Sequence, residues 1–533
     1  MKNYKFTKRL TSFMLLITIL LQSFNLKIFQ VNALAAENII KSDISQIRLE
    51  DDFYTAINRE WLENTKLENG YISYGTFEEL CGRVNGEIYN IIQEIKEHRK
   101  CYGENSEQLK LLNLYSNFLD MKKRNKMGIK PIENYMKNID KIKTLDELRD
   151  IFYEEEFTYF QPLINIGVGA DYKDSNMNVL YFGSSNLVLG NSLYYKSESY
   201  ENIRKEYIKY IEKLHRLYGE DKKKSRENAE RFYNIERKIA EGIPTYQEEA
   251  KDNNRFNNTY NIMTVKELED ISPNIKIGEM LKKFNIINPK KIIVENPSNI
   301  RFVDSLVNED NLEDMKIFFK TIVLLNTDNL LTNDFRKASS DLKKELYGVE
   351  VVDLTESGAV KFTTCNLCEI TSKLYVDKYF DKECKDEVNT LCDEIIDNYR
   401  YRLNNVEWMT EETKEKALEK LDNMNVKIGY PDSWGEYNDL KVRSFSEGGS
   451  LVENIINIYE FQTRKQFEKI DMPVNKKEWS MGACTVNAYY NPLNNEIVFP
   501  AAILQYPFYD KNASKEKNLG GIGAVIGHEL THA

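Results

Sequence analysis

Histidine, proline and cysteine are all scarce in this 533-residue chain, and each shortage excludes something. With 11 prolines and 24 glycines, the chain has too few breakers for a collagen-like or low-complexity protein. The seven cysteines, Cys81, Cys101, Cys365, Cys368, Cys384, Cys392 and Cys484, are too sparse to build a disulfide scaffold. Cys365 and Cys368 form a lone CxxC; a zinc ribbon needs a second such pair. Buried free thiols or one incidental disulfide are expected, and the odd count leaves at least one thiol unpaired. Positive charge is also in deficit, with 73 Lys and Arg against 84 Asp and Glu, a net charge of −11. That excludes the basic footprint of a nucleic-acid binder. The densest basic stretch, Lys222 to Arg226, is flanked by acids and reads as a solvated helix end.

Long apolar runs are missing everywhere except near the start. Lys2, Lys5, Lys8 and Arg9 precede an uncharged stretch from Leu10 to Leu26. Ala33-Leu34-Ala35 then offers a small-x-small cleavage pattern before Glu37. This is the layout of a signal peptide over residues 1–35 and implies a secreted protein. An uncleaved membrane anchor is the rival reading; the Ala-x-Ala pattern favours cleavage and no membrane contact afterwards.

What the chain has is aromatic and amphipathic. It carries 33 Tyr and 25 Phe, and a length that calls for two or more domains. Leu80, Val84, Ile88, Ile91 and Ile95 recur at helical spacing, as do Ile203, Tyr207, Ile211, Leu214 and Leu217. Phe232, Ile235 and Ile239 predict a third helix, stopped by Gly242 and Pro244. Thr410 followed by Glu411 and Glu412 predicts a capped helix start. Near residue 472 the character changes. Thr485 to Tyr490 and Glu496 to Phe499 predict a hairpin across Asn491 to Asn495. Asp510 to Asn518 reads as a polar loop, and Leu519 to Ala533 as a glycine-rich apolar helix that needs close packing.

Of four histidines, two fall in one motif, His528-Glu-Leu-Thr-His532. Residues four apart share a helix face, so the two imidazoles suit one zinc ion. Glu529 lies about 100° round the helix, placed to act on a zinc-activated water as general base without ligating the metal. A surface helix with unrelated histidines is the plain alternative; the apolar run before His528 argues instead for a buried helix whose histidines need a partner. His98 lies in a charged run and His215 off its helix's apolar stripe, so both are expected in solvent. Val486 to Tyr490 is a candidate edge strand for holding an extended peptide, with Asn487 and Ala488 as substrate-binding residues. An ordinary hairpin explains that segment equally well.

The sequences Asn487-Ala-Tyr-Tyr490, Asn495-Glu-Ile-Val-Phe-Pro-Ala-Ala-Ile-Leu504 and Gly520 to His532 together resemble the catalytic region of the neprilysin family. That family also includes endothelin-converting enzymes and bacterial oligoendopeptidases. Asp51 to Trp61, Ser73 to Phe77, Trp408 to Leu418 and Val426 to Trp434 resemble its upstream parts. The resemblance implies a mainly α fold with a small β part. It implies two domains, a large helical one over 48–470 and a thermolysin-like catalytic one starting in 480–533, enclosing a chamber that admits peptides. It implies one catalytic zinc, ligands His528 and His532, base Glu529, and backbone contacts to substrate from Asn487 and Ala488. Cleavage is expected on the amino side of large apolar residues. The family's third zinc ligand, a Glu, and its Asp, His and Arg helpers have no counterpart up to Ala533. The catalytic domain is therefore expected to be incomplete, as in a fragment or a prematurely terminated product. Two function classes follow: a secreted zinc endopeptidase, or a truncated inactive relative that binds peptides or partners.

Overall fold

The computed structural model describes residues 47–67, 73–154, 158–160, 163–348 and 354–533. Residues 1–35, expected from the sequence to be a signal peptide, lie outside them. The fold is mainly α with a small β part, 62% helix and 8% strand. Among the described residues no helix is long and apolar enough to cross a membrane.

Helix α1 (Thr76–Glu97) buries Leu80, Val84, Ile88, Ile91 and Ile95, the face its spacing predicts. A sheet that the sequence reading did not anticipate follows. Strands β1 (Asn165–Asp171) and β2 (Asp174–Gly183) form an antiparallel hairpin, and β3 (Asn261–Met263) and β4 (Ile292–Val294) extend it in the order β1-β2-β4-β3. Helices α2 (Glu201–Tyr218), α3 (Lys222–Glu241) and α4 (Leu312–Thr327) pack against one another in the same region. The basic stretch at 222–226 does open a helix, with Asp221 as its N-cap accepting from the Lys223 and Lys224 N–H groups.

His215 corrects an expectation. It is fully buried, with Nε2 2.9 Å from Thr321 Oγ1 and Nδ1 3.0 Å from Glu220 Oε2. α2 is covered by α3 on one side and α4 on another, so its buried face is wider than one apolar stripe. His98 is exposed, as expected.

Glu236 of α3 is nearly fully buried and accepts from the Val188 N–H and the Tyr207 hydroxyl, both at 2.8 Å. Burial pushes its carboxyl up to about 7. A carboxyl raised in the fold contributes fully below its unfolded value near 4.5, and that contribution is lost as pH rises through 7. Glu236→Gln is therefore expected to flatten the fall in stability between pH 5 and pH 8 by as much as ~3 kcal/mol. Urea unfolding at the two pH values checks this; an unchanged pH dependence counts against it.

Helices α5 (Glu356–Asn366) and α6 (Cys368–Tyr379) lie against α1, with α7 (Lys382–Asn405) and α8 (Glu411–Asp422) after them. Thr410 caps α8 through the Thr413 N–H, as expected. Strand β5 (Asn425–Gly429) then joins β6 (Tyr489–Asn491) and β7 (Glu496–Pro500) in the order β5-β7-β6. The hairpin forms, but its first strand begins at Tyr489 rather than Thr485. The polar loop after Asp510 is partly helical: α9 (Lys515–Gly520) is capped by Ser514. The final helix α10 (Ile522–His532) is separate from it.

Packing divides into two main cores. One gathers α1 to α6 and one face of the first sheet, with Leu180, Phe182, Ile292 and Val294. The second gathers Val388, Leu391 and Cys392 of α7, Leu421 of α8, Ile428 of β5, Ile497 and Phe499 of β7, and Ile522, Ile526 and Leu530 of α10. The helix bearing the histidines thus rests on elements that begin well upstream of it.

Candidate metal centre

Ile522, Ile526 and Leu530 recur every four residues along α10 and are all buried against the second core. That fixes the rotation of the helix. His528 and His532 fall on its open face, and Glu529 turns inward, 6% exposed.

The two imidazoles converge. Their ring centroids are 4.6 Å apart with planes at 89°, and their Nε2 atoms are 3.0 Å apart. Two nitrogens on one tetrahedral zinc, each ~2.0–2.1 Å away, sit roughly 3.3 Å from each other. The pair fits a shared zinc ion. Among the described residues, no group of three or more His, Cys, Asp and Glu side chains is placed to hold a metal.

Glu529 is approached from the other side by the edge strand. The Tyr490 N–H of β6 faces its carboxylate. Burial raises its pKa, while the His532 and His528 imidazoles and the Tyr490 N–H oppose the rise. β6 is an edge strand, so a main-chain donor facing away from β7 is available to α10.

Beneath the strand lies a buried ion pair. Lys427 Nζ of β5 is 2.6 Å from Glu496 Oε2 of β7 and donates to the Glu478 carbonyl at 2.7 Å. Asn491 Nδ2 of β6 donates to Glu496 Oε1 at 3.3 Å. All three strands are tied through one carboxylate.

Asn487 and Ala488 lead into β6 without pairing as strand. Asn487 is exposed, and its Oδ1 accepts from the Ala488 N–H at 2.9 Å. The Ala488 methyl is buried in the second core. The fold therefore brings Asn487 and Ala488 to the head of the strand that touches Glu529.

Two supports were missed in the sequence. The Tyr399 hydroxyl of α7 lies 2.8 Å from the Gly527 carbonyl oxygen and 2.7 Å from Thr531 Oγ1, bracing α10 on either side of His528. Nothing local signals a partner 128 positions away. Tyr399→Phe is expected to cost about 1 kcal/mol, the net worth of a part-exposed hydrogen bond. Urea unfolding with and without zinc checks this; an unchanged midpoint in both removes Tyr399 as a brace. The other missed feature is Gly521, which separates α9 from α10. The Ile522 N–H donates to the Phe508 carbonyl at 2.6 Å, a contact that leaves no room for a side chain at 521.

The N-terminal profile of Peptidase family M13 matches residues 49–431, and a second profile of that family matches 487–533. The chain belongs to peptidase family M13. M13 is a family of zinc metallopeptidases, in accord with the neprilysin resemblance. A neutral endopeptidase of Lactococcus lactis is 29% identical over 490 residues, which cover 91% of this chain and 76% of that protein. Neprilysin-3 of Drosophila melanogaster is 26% identical over 529 residues, covering 94% of this chain and 66% of the relative. Among solved structures, the inhibitor complex of the zinc metalloprotease Zmp1 of Mycobacterium tuberculosis superposes with a TM-score of 0.80 at 27% identity. That match covers 91% of this chain and 73% of Zmp1. PepO of Lactobacillus rhamnosis shares the fold with a TM-score of 0.81 at 24% identity, covering 91% of this chain and 76% of PepO. The M13 architecture, a helical domain with a thermolysin-like one, is thus the architecture here.

Proposed function

We propose that the M13 site of this chain hydrolyses short peptides with one zinc ion held by His528 and His532, and that Glu529 is the general base. The observation that carries this is the convergence of the two Nε2 atoms beside a buried carboxylate. Zinc bound there supplies a Lewis acid that lowers the pKa of water to about 7. Glu529 takes the proton from the attacking water and delivers it to the leaving amine. The Tyr490 N–H of the edge strand faces the carboxylate. Asn487 offers its side-chain Nδ2 donors and Ala488 its carbonyl to an extended peptide lying along the edge strand. Cleavage falls on the amino side of large apolar residues, within a chamber between the two domains that excludes folded proteins.

We also propose secretion, with residues 1–35 removed. N-terminal sequencing of the protein recovered from culture medium is expected to begin close to Glu37; a start at Met1 opposes it.

A fluorogenic peptide assay with zinc in excess tests the reading. Cleavage that a chelator abolishes and zinc restores is expected. Because the described residues supply two imidazoles and no third ligand, zinc is expected to bind this chain more weakly than a three-ligand site does. Peptide binding with no turnover at saturating zinc overturns the catalytic reading in favour of a binding protein.

A further inference from the structure

The two faces of the β5-β7-β6 sheet differ in character. Val426, Ile428, Tyr490, Ile497 and Phe499 turn to the second core. Lys427, Tyr489, Asn491 and Glu496 alternate with them and turn the other way. The segment carrying Glu478 and Ser480 meets that second face. Lys427 Nζ donates to the Glu478 carbonyl at 2.7 Å, and the Ser480 N–H donates to the Tyr489 hydroxyl at 2.9 Å. Lys427, Asn491 and Glu496 are all buried. Asn491 stands directly across from Glu496, and both ends of its amide are engaged. Nδ2 donates to Glu496 Oε1 at 3.3 Å, and Oδ1 accepts from the Leu493 N–H of the hairpin turn at 3.0 Å.

Stability alone does not call for such a pair. Taking a lysine and a glutamate out of water costs about what their attraction returns, and apolar side chains of the same volume serve as well or better. What the pair adds is a demand for one alignment, as a lone buried asparagine does in a coiled coil. β6 needs that demand. It is an edge strand joined to β7 by three residue pairs, Tyr489 with Val498, Tyr490 with Ile497 and Asn491 with Glu496. A slip of one residue would carry every β6 side chain to the opposite face. The Asn491 amide would enter the second core, and Glu496 would lose its donor, each buried without a partner. The same slip would turn over the residues that lead into β6, Asn487 and Ala488.

We propose that Glu496 is a positioning residue of the peptidase site: with Lys427 and Asn491 it pins the register of β6, and so decides which face of Asn487 and Ala488 a peptide meets. This rests on the reading of those two residues as the peptide-holding segment. Glu496 acts through β6 and takes no part in the chemistry.

The test joins amide exchange to peptide binding on the whole chain, with fluorescein-labelled Ala-Ala-Phe-Leu-Ala as the peptide and no zinc present, so that nothing is cleaved. In the unaltered chain the Tyr489 and Asn491 amides are expected to exchange within about tenfold of the Val498 amide, unusually slow for so short an edge strand. Lys427→Met with Glu496→Leu removes the pin. Exchange at Tyr489 and Asn491 is then expected to rise about 100-fold and the peptide Kd about tenfold, while exchange in α1, the reference for the fold at large, stays unchanged. Lys427→Met with Glu496→Gln keeps an acceptor for Asn491 and is expected to remain within about threefold of the unaltered chain on both readings. β6 exchanging about 100-fold faster than Val498 in the unaltered chain overturns the proposal and needs no variant to fold. So does a Glu496→Leu double variant that keeps both readings, or one in which α1 loosens as much as β6. Slow exchange at β6 without peptide binding overturns the reading of Asn487 and Ala488 and leaves the register pin standing.

Discussion

Glu529→Gln is expected to lower peptide hydrolysis by about 10²–10⁴-fold, the usual contribution of a general base, while zinc binding stays unchanged. Gln matches Glu in size, and its carbonyl oxygen still faces the Tyr490 N–H. The imidazoles of His528 and His532 are untouched, so the metal keeps both its ligands from this helix. What is lost is the ability to take a proton. Side-by-side assays at saturating zinc, with zinc content measured on the same samples, separate the two effects. Full turnover by the variant removes Glu529 as the base; loss of zinc along with turnover reassigns it to holding the site together.

Gly521→Val carries the largest expected cost in stability. A Cβ at that position would lie 2.2 Å from the Phe508 carbonyl oxygen and 3.0 Å from its carbon. Both atoms are backbone, so no rotamer relieves the clash. Either the Ile522 N–H to Phe508 hydrogen bond breaks or α10 shifts off the second core. The expected loss is about 3 kcal/mol, at the upper end of overpacking. The shift also moves both imidazoles, so zinc affinity falls with it. Gly520→Ala is the contrasting control. No atom lies within 4 Å of its Cβ, and it sits in α9. Alanine there is expected to be neutral or to stabilise by up to ~1 kcal/mol. Equal effects of the two changes, read by urea unfolding, contradict the argument.

These two adjacent glycines show where the sequence stops being informative. Close packing of the glycine-rich segment is readable from its composition. Which glycine touches a neighbour is not, because the contact is with Phe508 in a separate turn. The histidine pair, by contrast, is local: a spacing of four on a helix puts both on one face, and Ile522, Ile526 and Leu530 fix which way it faces. Glu529 is legible for the same reason, but its contact with Tyr490 is a tertiary fact. His215 lies off the one apolar stripe that the sequence of α2 displays, yet it is buried because α3 and α4 cover α2 from two sides. The first sheet is not legible in the sequence because β1 and most of β2 lack alternating burial, and β3 and β4 are three residues each, too short for a pattern. The second hairpin was found, yet its first strand starts four residues late, because the loop closing on α6 takes up Thr485 to Ala488.

The most direct test of the account is zinc stoichiometry by equilibrium dialysis against excess zinc. One zinc per chain is expected for the unaltered protein and for Glu529→Gln, with none retained by His528→Ala or His532→Ala under the same conditions. Zinc held equally by all four proteins, or by none of them, contradicts the assignment of His528 and His532 as the metal's ligands.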